Sequence, residues 1–454
     1  MTGAAPASLC LEFSIMSSPV APPAARPPLR VALAGIGVVG GGVVRLLEAN
    51  RALIARRAGR PIEIVAVSAR DRHKDRGIDL SPYRWEDDMD ALVAAGDVDV
   101  VVEMIGGADG SALTLARRAL GAGKALVTAN KAMIAHHGLD LARIAEEKDT
   151  PLKYEAAVAG GIPVIKAIRE GASANEIARV YGILNGTCNY ILTQMERNGA
   201  SFADALAAAQ AEGYAEADPT FDVDGIDAAH KLSILAALCF GTRLDIGAVA
   251  AEGIRGLIAA DIREAEALGH RVRLIGMAER GATGLYQHVQ PCLVPADHPL
   301  AYVPGALNAV VAEGNFVGRL FFEGAGAGAG PTASAIVADI IDIARDEYGP
   351  AFAMPVDALD AAPAADAGAR VGKHYVRLIV EDRIGVLAEI AAAMRDAGVS
   401  IESLIQRGSE DGDGVVIVLV THEGPASAIH AALAALGASE HVVGAPMHMP
   451  ILAL

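Results

Sequence analysis

The chain reads as an α/β protein of 454 residues with three folded units. Three observations lead there. Between residues 29 and 150, short apolar runs alternate with helix-period segments, as parallel strands joined by crossover helices require. From Pro151 to residue 324 that alternation gives way to the α+β pattern of a second unit. After an Ala-, Pro- and Gly-rich linker at 357–371, residues 372–454 run strand, helix, strand, strand, helix, strand, a ferredoxin-like order.

Composition narrows the function classes. A formal net charge of -17 argues against nucleic-acid and anionic-membrane partners, which favour clustered Lys and Arg. Apolar runs such as LSILAALCF and VVIVLV are too short to cross a bilayer. The four cysteines, Cys10, Cys188, Cys239 and Cys292, are widely spaced and signal neither a zinc site nor a disulfide framework. They fit a reducing cytoplasm. Residues 1–28 lack a basic region before their short apolar patch and read as a disordered tail, with Met16 as an alternative start.

The first unit carries its cofactor signal at once. Residues 29–50 give an apolar strand, then Gly35-Ile36-Gly37-Val38-Val39-Gly40, then an apolar-periodic helix. This is the dinucleotide fingerprint of a Rossmann-type sheet in its required setting. Gly35 permits the tight turn, Gly37 lets backbone approach a pyrophosphate, and Gly40 allows close helix packing. NAD or NADP is the expected cofactor. Ser68, with Arg70 close behind, stands where NAD-specific folds place an acid, so NADP should be accepted. Arg72, Lys74 and Arg76 are further candidates for a phosphate or an ordinary solvated loop. Two more strands end in Gly106-Gly107 and Thr128-Ala129-Asn130-Lys131, at the edge where parallel sheets bind ligands.

Residues 212–231 hold the densest chemistry. Glu216, Asp218, Asp222, Asp224 and Asp227 precede one lysine, Lys231, which suggests a site for a cationic, amino-acid-like substrate. After Gly225 the apolar positions recur at helix spacing, which sets Asp227 and Lys231 four apart on one face. The helix is apolar on nearly every side beyond Lys231, so this pair is expected to be partly buried rather than a solvated surface pair. Burial disfavours an ammonium and neighbouring carboxylates favour it, a balance suited to a group that gives up and regains a proton.

Taken together, GIGVVG, TANK, AAVAGGIP, NGTCNYIL, EGYAEADPTFDVDGIDAAHK and GAGAGAGPTASAIVAD resemble homoserine dehydrogenase from residue 29 to residue 349. The resemblance implies NAD(P)-dependent interconversion of L-homoserine and L-aspartate 4-semialdehyde, with residues 151–324 as the catalytic, substrate and dimerisation domain. Lys231 matches the family's proton-donating lysine and Lys131 its partner near substrate and nicotinamide. Glu216 and Asp227 match its substrate-binding acids, with Tyr214 and Asp222 beside them. Glu155 with the carbonyls of Val158, Gly160 and Ile162 resembles a monovalent cation site, usually sodium. Cofactor contacts would extend to Gly213 and to Gly326 and Gly328, in a stretch (residues 325–350) that returns to the first domain, with a helix from about Pro331. Two other readings stay open: a semialdehyde dehydrogenase using Cys188 as nucleophile, and a non-enzymatic nucleotide and amino-acid sensor.

The C-terminal unit closes with a strand expected at His441–Met447. DRIGVLAEI and SIESLIQ resemble the ACT domain, an amino-acid-sensing module. That implies an effector, L-threonine, met by backbone at Gly385 and by Gln406, and pairing of modules in a homodimer or homotetramer.

Overall fold

In the computed structural model, which describes residues 26–408 and 414–453, six parallel strands form the first sheet. Their order is Arg84–Trp85, Ile62–Ser68, Leu29–Ala34, Val100–Glu103, Ala125–Thr128 and Leu152–Lys153. The direction of winding reverses between Leu29–Ala34 and Val100–Glu103, so a ligand crevice opens beyond their carboxyl ends. Val31, Leu33, Val100, Val101, Val102, Leu126 and Val127 are fully buried, because helices cover both faces of the sheet. The two outermost strands have two residues each and leave little periodicity to read. The tail assignment falls mostly outside the described residues. Arg26, at its end, donates to the Ala344 carbonyl at 3.0 Å and pairs with Asp346.

The second sheet runs Gly318–Ala325, Leu307–Gly314, Ile177–Ile183, His270–Arg280, Leu285–Pro295 and Ala250–Ala251. All neighbours are antiparallel except the last pair. Helix Ile226–Phe240 packs on four of these strands, and only Ile226 and Cys239 of its residues are not buried. An apolar sequence on every side is what such a position demands. Helix Ala329–Arg345 then crosses back onto helix Val38–Ala49 of the first domain. It begins at Ala329, two residues before the expected Pro331, because Gly328, with φ of 113°, already turns the chain into it.

The third sheet is antiparallel, in the order Ile401–Arg407, Val415–Thr421, His374–Val380 and Met447–Pro450, with helices Val386–Asp396 and Ala426–Gly437 sharing its core. This is the expected ferredoxin-like arrangement. Its last strand lies later than His441–Met447. Gly444, with φ of 71°, and Pro446 interrupt the ladder, and before them only Val442 bridges, to Val380.

Residues 357–371 are no free tether, contrary to the expected linker. Asp360 N–H donates to the Gly241 carbonyl at 3.0 Å, and Arg243 N–H to Asp360 at 2.8 Å. Leu285 N–H donates to Pro363 at 2.8 Å and Ala365 N–H to Leu285 at 3.0 Å. The segment adheres through its backbone, which needs no apolar period. Side chains then lock the C-terminal module down. Arg377 Nε donates to Asp261 Oδ1 at 2.9 Å, Tyr375 Oη donates to the same oxygen at 3.1 Å, and Arg407 pairs with Glu264 at 2.7 Å. Asp261 is fully buried and Arg377 is 5% exposed. Burial pushes the Asp261 carboxyl up, against the pull of Arg377. Asp261→Ala would therefore leave a buried guanidinium uncompensated and should cost about 3–5 kcal/mol. Urea denaturation of the two proteins checks this, and coincident midpoints would remove the pair from the docking.

Candidate active site

The nucleotide half is shaped by what its glycines leave out. A Cβ at Gly35, where φ is 97°, would lie 2.5 Å from the Met104 carbonyl oxygen, and one at Gly40 would lie 2.3 Å from that of Gly35. Nothing stands within 4 Å of a Cβ at Gly37, which caps helix Val38–Ala49 without any side-chain hydrogen bond. The first amides of this helix are thus left for an anion, beside a side that stays open. Val38 is 74% exposed there, Ile36 is buried, and Val39 packs against the core below. A Cβ at Gly42 would meet the Ala329 carbonyl at 2.5 Å, so helix Ala329–Arg345 starts beside the fingerprint, with Gly328 as its cap. Gly326 lies against the Asn308 side chain, only 2.2 Å from where a Cβ would sit.

Ser68 is buried and Arg70 exposed at the end of strand Ile62–Ser68. The guanidiniums of Arg72 and Arg76 lie 5.8 and 5.6 Å from the Trp85 ring centre, and Arg76 Nε donates to the Ile36 carbonyl at 2.8 Å. Arg76 therefore ties this loop to the fingerprint turn.

The acidic half centres on Asp227, 4% exposed in the first turn of helix Ile226–Phe240. Its Oδ2 accepts from Lys231 Nζ at 2.8 Å and from Asn185 Nδ2 at 2.8 Å, and its Oδ1 pairs with Lys131 Nζ at 3.1 Å. Burial alone would raise this carboxyl, but Lys231 and Lys131 hold it well below the usual carboxylate range. Lys231 Nζ also donates to the Leu184 carbonyl at 2.7 Å, which accepts from Asn308 Nδ2 at 2.8 Å as well. Lys131 is more open, with a third of its side chain exposed and its ammonium 5.6 Å from the Phe221 ring centre.

Asn185 organises the acids. Its Nδ2 donates to Asp222 Oδ1 and to Asp227 Oδ2, both at 2.8 Å, while its Oδ1 accepts from Cys188 N–H at 2.7 Å and caps helix Gly186–Asn198. Asp222 is pushed up by burial and then by Asp227, and its Oδ2 accepts from Thr187 at 3.2 Å. The one Thr187 hydroxyl proton is shared with the Tyr214 carbonyl at 2.8 Å, and the Tyr214 ring packs 4.6 Å from that of Tyr190. Glu216 is exposed on the same loop, where Gln210 Nε2 donates to its carbonyl at 3.0 Å, and Gly213 is exposed at the loop's start. Cys188 is fully buried, donates to the Asp222 carbonyl at 3.2 Å, and has its thiol pushed well up by burial. A thiol so placed is a poor nucleophile.

Lys131 is held by a second relay. Glu103, fully buried, accepts from Ile105 N–H at 2.7 Å, Gly106 N–H at 3.1 Å and Thr128 Oγ1 at 2.5 Å. Asn130 N–H donates to Thr128 Oγ1 at 3.0 Å, and the Asn130 side chain donates to the Gly107 carbonyl at 2.7 Å while capping helix Lys131–Glu147. Both strand ends and the lysine are thereby fixed together.

Family models match this arrangement across the chain: "Homoserine dehydrogenase, NAD binding domain" over residues 35–155, "Homoserine dehydrogenase" over 163–341 and "ACT domain" over 374–438. A homoserine dehydrogenase of Pseudomonas aeruginosa is 46% identical over 424 residues, 92% of this chain and 97% of its own. The chain belongs to the homoserine dehydrogenase family. Among solved structures, that of the Thiobacillus denitrificans homoserine dehydrogenase superposes with a TM-score of 0.88 at 41% identity, covering 94% of this chain and 98% of that one. A hyperthermophilic archaeal homoserine dehydrogenase in complex with NADPH covers 71% of this chain and 99% of its own, with a TM-score of 0.61 and 26% identity.

As a member of the homoserine dehydrogenase family the protein is an NAD(P)-binding oxidoreductase. Glu155 sits in a buried turn. Its two carboxylate oxygens accept from Ile165 N–H and Lys166 N–H, each at 2.9 Å, and its backbone N–H donates to Asp339 at 2.9 Å. Burial first, then Asp339, raises the Glu155 carboxyl to about 7. Val158 and Ile162 are buried on the same turn, which reverses at Ala159 and Gly160, with φ of 56° and 51°. In the ACT domain, Gly385 and Gln406 line one cavity of about 210 Å³ with Glu381 and Arg383. Sequence reasoning did not single out Asn185, Asn308 or Glu103 as functional side chains, although NGTCNYIL and the strand ending in Gly106-Gly107 held two of them.

Proposed function

We propose that the protein interconverts L-aspartate 4-semialdehyde and L-homoserine, with Lys231 as the proton donor to the aldehyde oxygen during reduction. The bound nicotinamide supplies the hydride. One observation carries the role of Lys231: its ammonium is buried, and two of its three N–H donors are engaged by the Leu184 carbonyl and Asp227. The third N–H can meet the nascent alkoxide, stabilise its charge and give up the proton. In the reverse direction the same nitrogen, once neutral, accepts the hydroxyl proton. Lys131, more open and on the nucleotide domain, orients the aldehyde beside the nicotinamide. Glu216, Asp222 and Tyr214 with Asp227 would bind the substrate ammonium, consistent with the surplus of carboxylates on this loop.

The open N-terminus at Gly37 fits a pyrophosphate, contacted by Gly35 to Gly40, with Gly213, Gly326 and Gly328 lining the nicotinamide end. NADP is favoured over NAD because Ser68 and Arg70 stand where a ribose-binding acid would repel a 2′-phosphate. The turn at Glu155, Val158, Gly160 and Ile162 fits a sodium ion. A buried carboxyl raised to about 7 lacks charge compensation that a monovalent cation would provide. The ACT cavity would take L-threonine, with its carboxylate at the amides of helix Val386–Asp396 behind Gly385 and its side chain at Gln406. Edge strand Ile401–Arg407 and the exposed Ile384 and Leu404 beside that cavity suit pairing of two ACT domains, hence at least a dimer.

Lys231→Ala is expected to lower kcat by about 100- to 10,000-fold while the NADPH dissociation constant stays within about threefold. Steady-state rates and fluorescence titration check this, and an ordinary kcat would exclude Lys231 from proton transfer. Replacing sodium by choline in the assay should lower activity in the wild type but not in Glu155→Gln, and L-threonine should inhibit the wild type but not Gln406→Ala. Identical responses of variant and wild type would overturn the corresponding assignment.

A further inference from the structure

A second basic site stands where the strapping segment and the ACT domain meet the catalytic sheet. A cavity of about 50 Å³ there is lined by four histidines, His288, His374, His430 and His448, together with Arg370 and Lys373. No Asp or Glu lines it, in a chain whose net charge is -17. The histidines come from four separate elements: strands Leu285–Pro295, His374–Val380 and Met447–Pro450, and helix Ala426–Gly437. His448 Nε2 and His374 Nδ1 share a hydrogen bond at 2.9 Å, and the His430 ring meets that of His448 edge-on at 5.5 Å. His374 is 6% exposed, and its remaining nitrogen, Nε2, is buried without a partner. An orphaned polar atom on a residue that lines a cavity asks for a ligand.

The surroundings decide the sign of that ligand's charge. Among the described residues no three His, Cys, Asp or Glu side chains are arranged to hold a metal ion, and a cation in the cavity would meet the Arg370 guanidinium with no carboxylate in the lining. Arg370 lies 4.8 Å from the centre of the Tyr286 ring, and its Nη2 donates to Glu279 Oε2 outside the cavity lining at 3.5 Å, a long contact that leaves the guanidinium further donors. Helix Ala426–Gly437 starts at the cavity behind Pro425, which supplies no side-chain cap, so its positive end adds to the field. The volume suits a few water molecules or one small tetrahedral ion.

We propose that this cavity binds a small oxyanion, of sulfate or phosphate size, through Arg370, His374, His430 and His448, and that the bound anion fastens the ACT domain to the catalytic sheet. A neutral imidazole can donate one N–H to such an ion, and a protonated one donates two with a charge added. Burial holds His288 and His374 down at about 4 and His448 at about 3, with further lowering by Arg370, His430 and His374 in turn. The other ionisable groups facing the cluster are Tyr286 on the catalytic sheet, Glu279 beside Arg370, and Lys373 paired with Glu402 at 2.6 Å. An anion favours the protonated rings, so binding should tighten as pH falls.

Sodium sulfate is the probe, since its charge is constant between pH 6 and pH 8. Calorimetric titration of the full-length protein, at ionic strength matched with sodium chloride, should show one saturable site. Arg370→Gln and His430→Glu should each weaken it at least about tenfold, and His430 is exposed enough for its replacement to spare the fold. The rise in melting temperature with sulfate should shrink in both variants, which separates site binding from the general stabilisation that sulfate gives any protein. A featureless titration, or variants that respond like the wild type, would overturn the proposal.

Discussion

The buried carboxylate of Asp227 is the constraint around which the catalytic half is built. It faces two ammonium groups and one amide from a buried position, where each interaction is stronger than at a surface. Without that negative charge, Lys131 and Lys231 would confront each other across a few ångströms of protein. With it, they are held at set positions, one from each domain, and Asp227 is the joint between them. The apolar helix Ile226–Phe240 gives the joint its rigidity, since nearly all of its residues are packed.

The same economy of contact explains how the two domains present one crevice. The nucleotide sheet offers an open glycine-lined helix start, and helix Ala329–Arg345 brings the chain back beside it at van der Waals limits that only Gly42 allows. Asn308 takes part on both sides: its side chain abuts Gly326 and donates to the Leu184 carbonyl that also receives Lys231. Displacement of the glycine strand would therefore be felt at the Lys231 amine.

Much of this was legible in the sequence where a short-range rule governs. The fingerprint glycines answer to local steric limits, and the Asp227 and Lys231 pair answers to helix spacing, so both could be read from neighbours in the chain. Asn185, Asn308 and Glu103 could not be read that way, because their partners lie up to 124 residues distant or hang on the exact course of a strand end. Residues 357–371 misled for a related reason. Their lack of apolar period suggested a tether, yet backbone hydrogen bonds to Gly241 and Leu285 carry no residue signature. The final strand was placed too early because Val442 and Val443 look like strand residues, while Gly444 and Pro446 decide where the ladder resumes.

The ordered centre thus rests on a charge, not on a shape, and Asp227→Asn separates the two, since it keeps the side chain's volume and removes its charge. Steady-state reduction of aspartate semialdehyde by this variant, set beside its NADPH dissociation constant, is the most direct test. The account predicts that kcat/KM falls at least about 100-fold with nucleotide affinity within about threefold of the wild type. A kcat/KM near that of the wild type would contradict it.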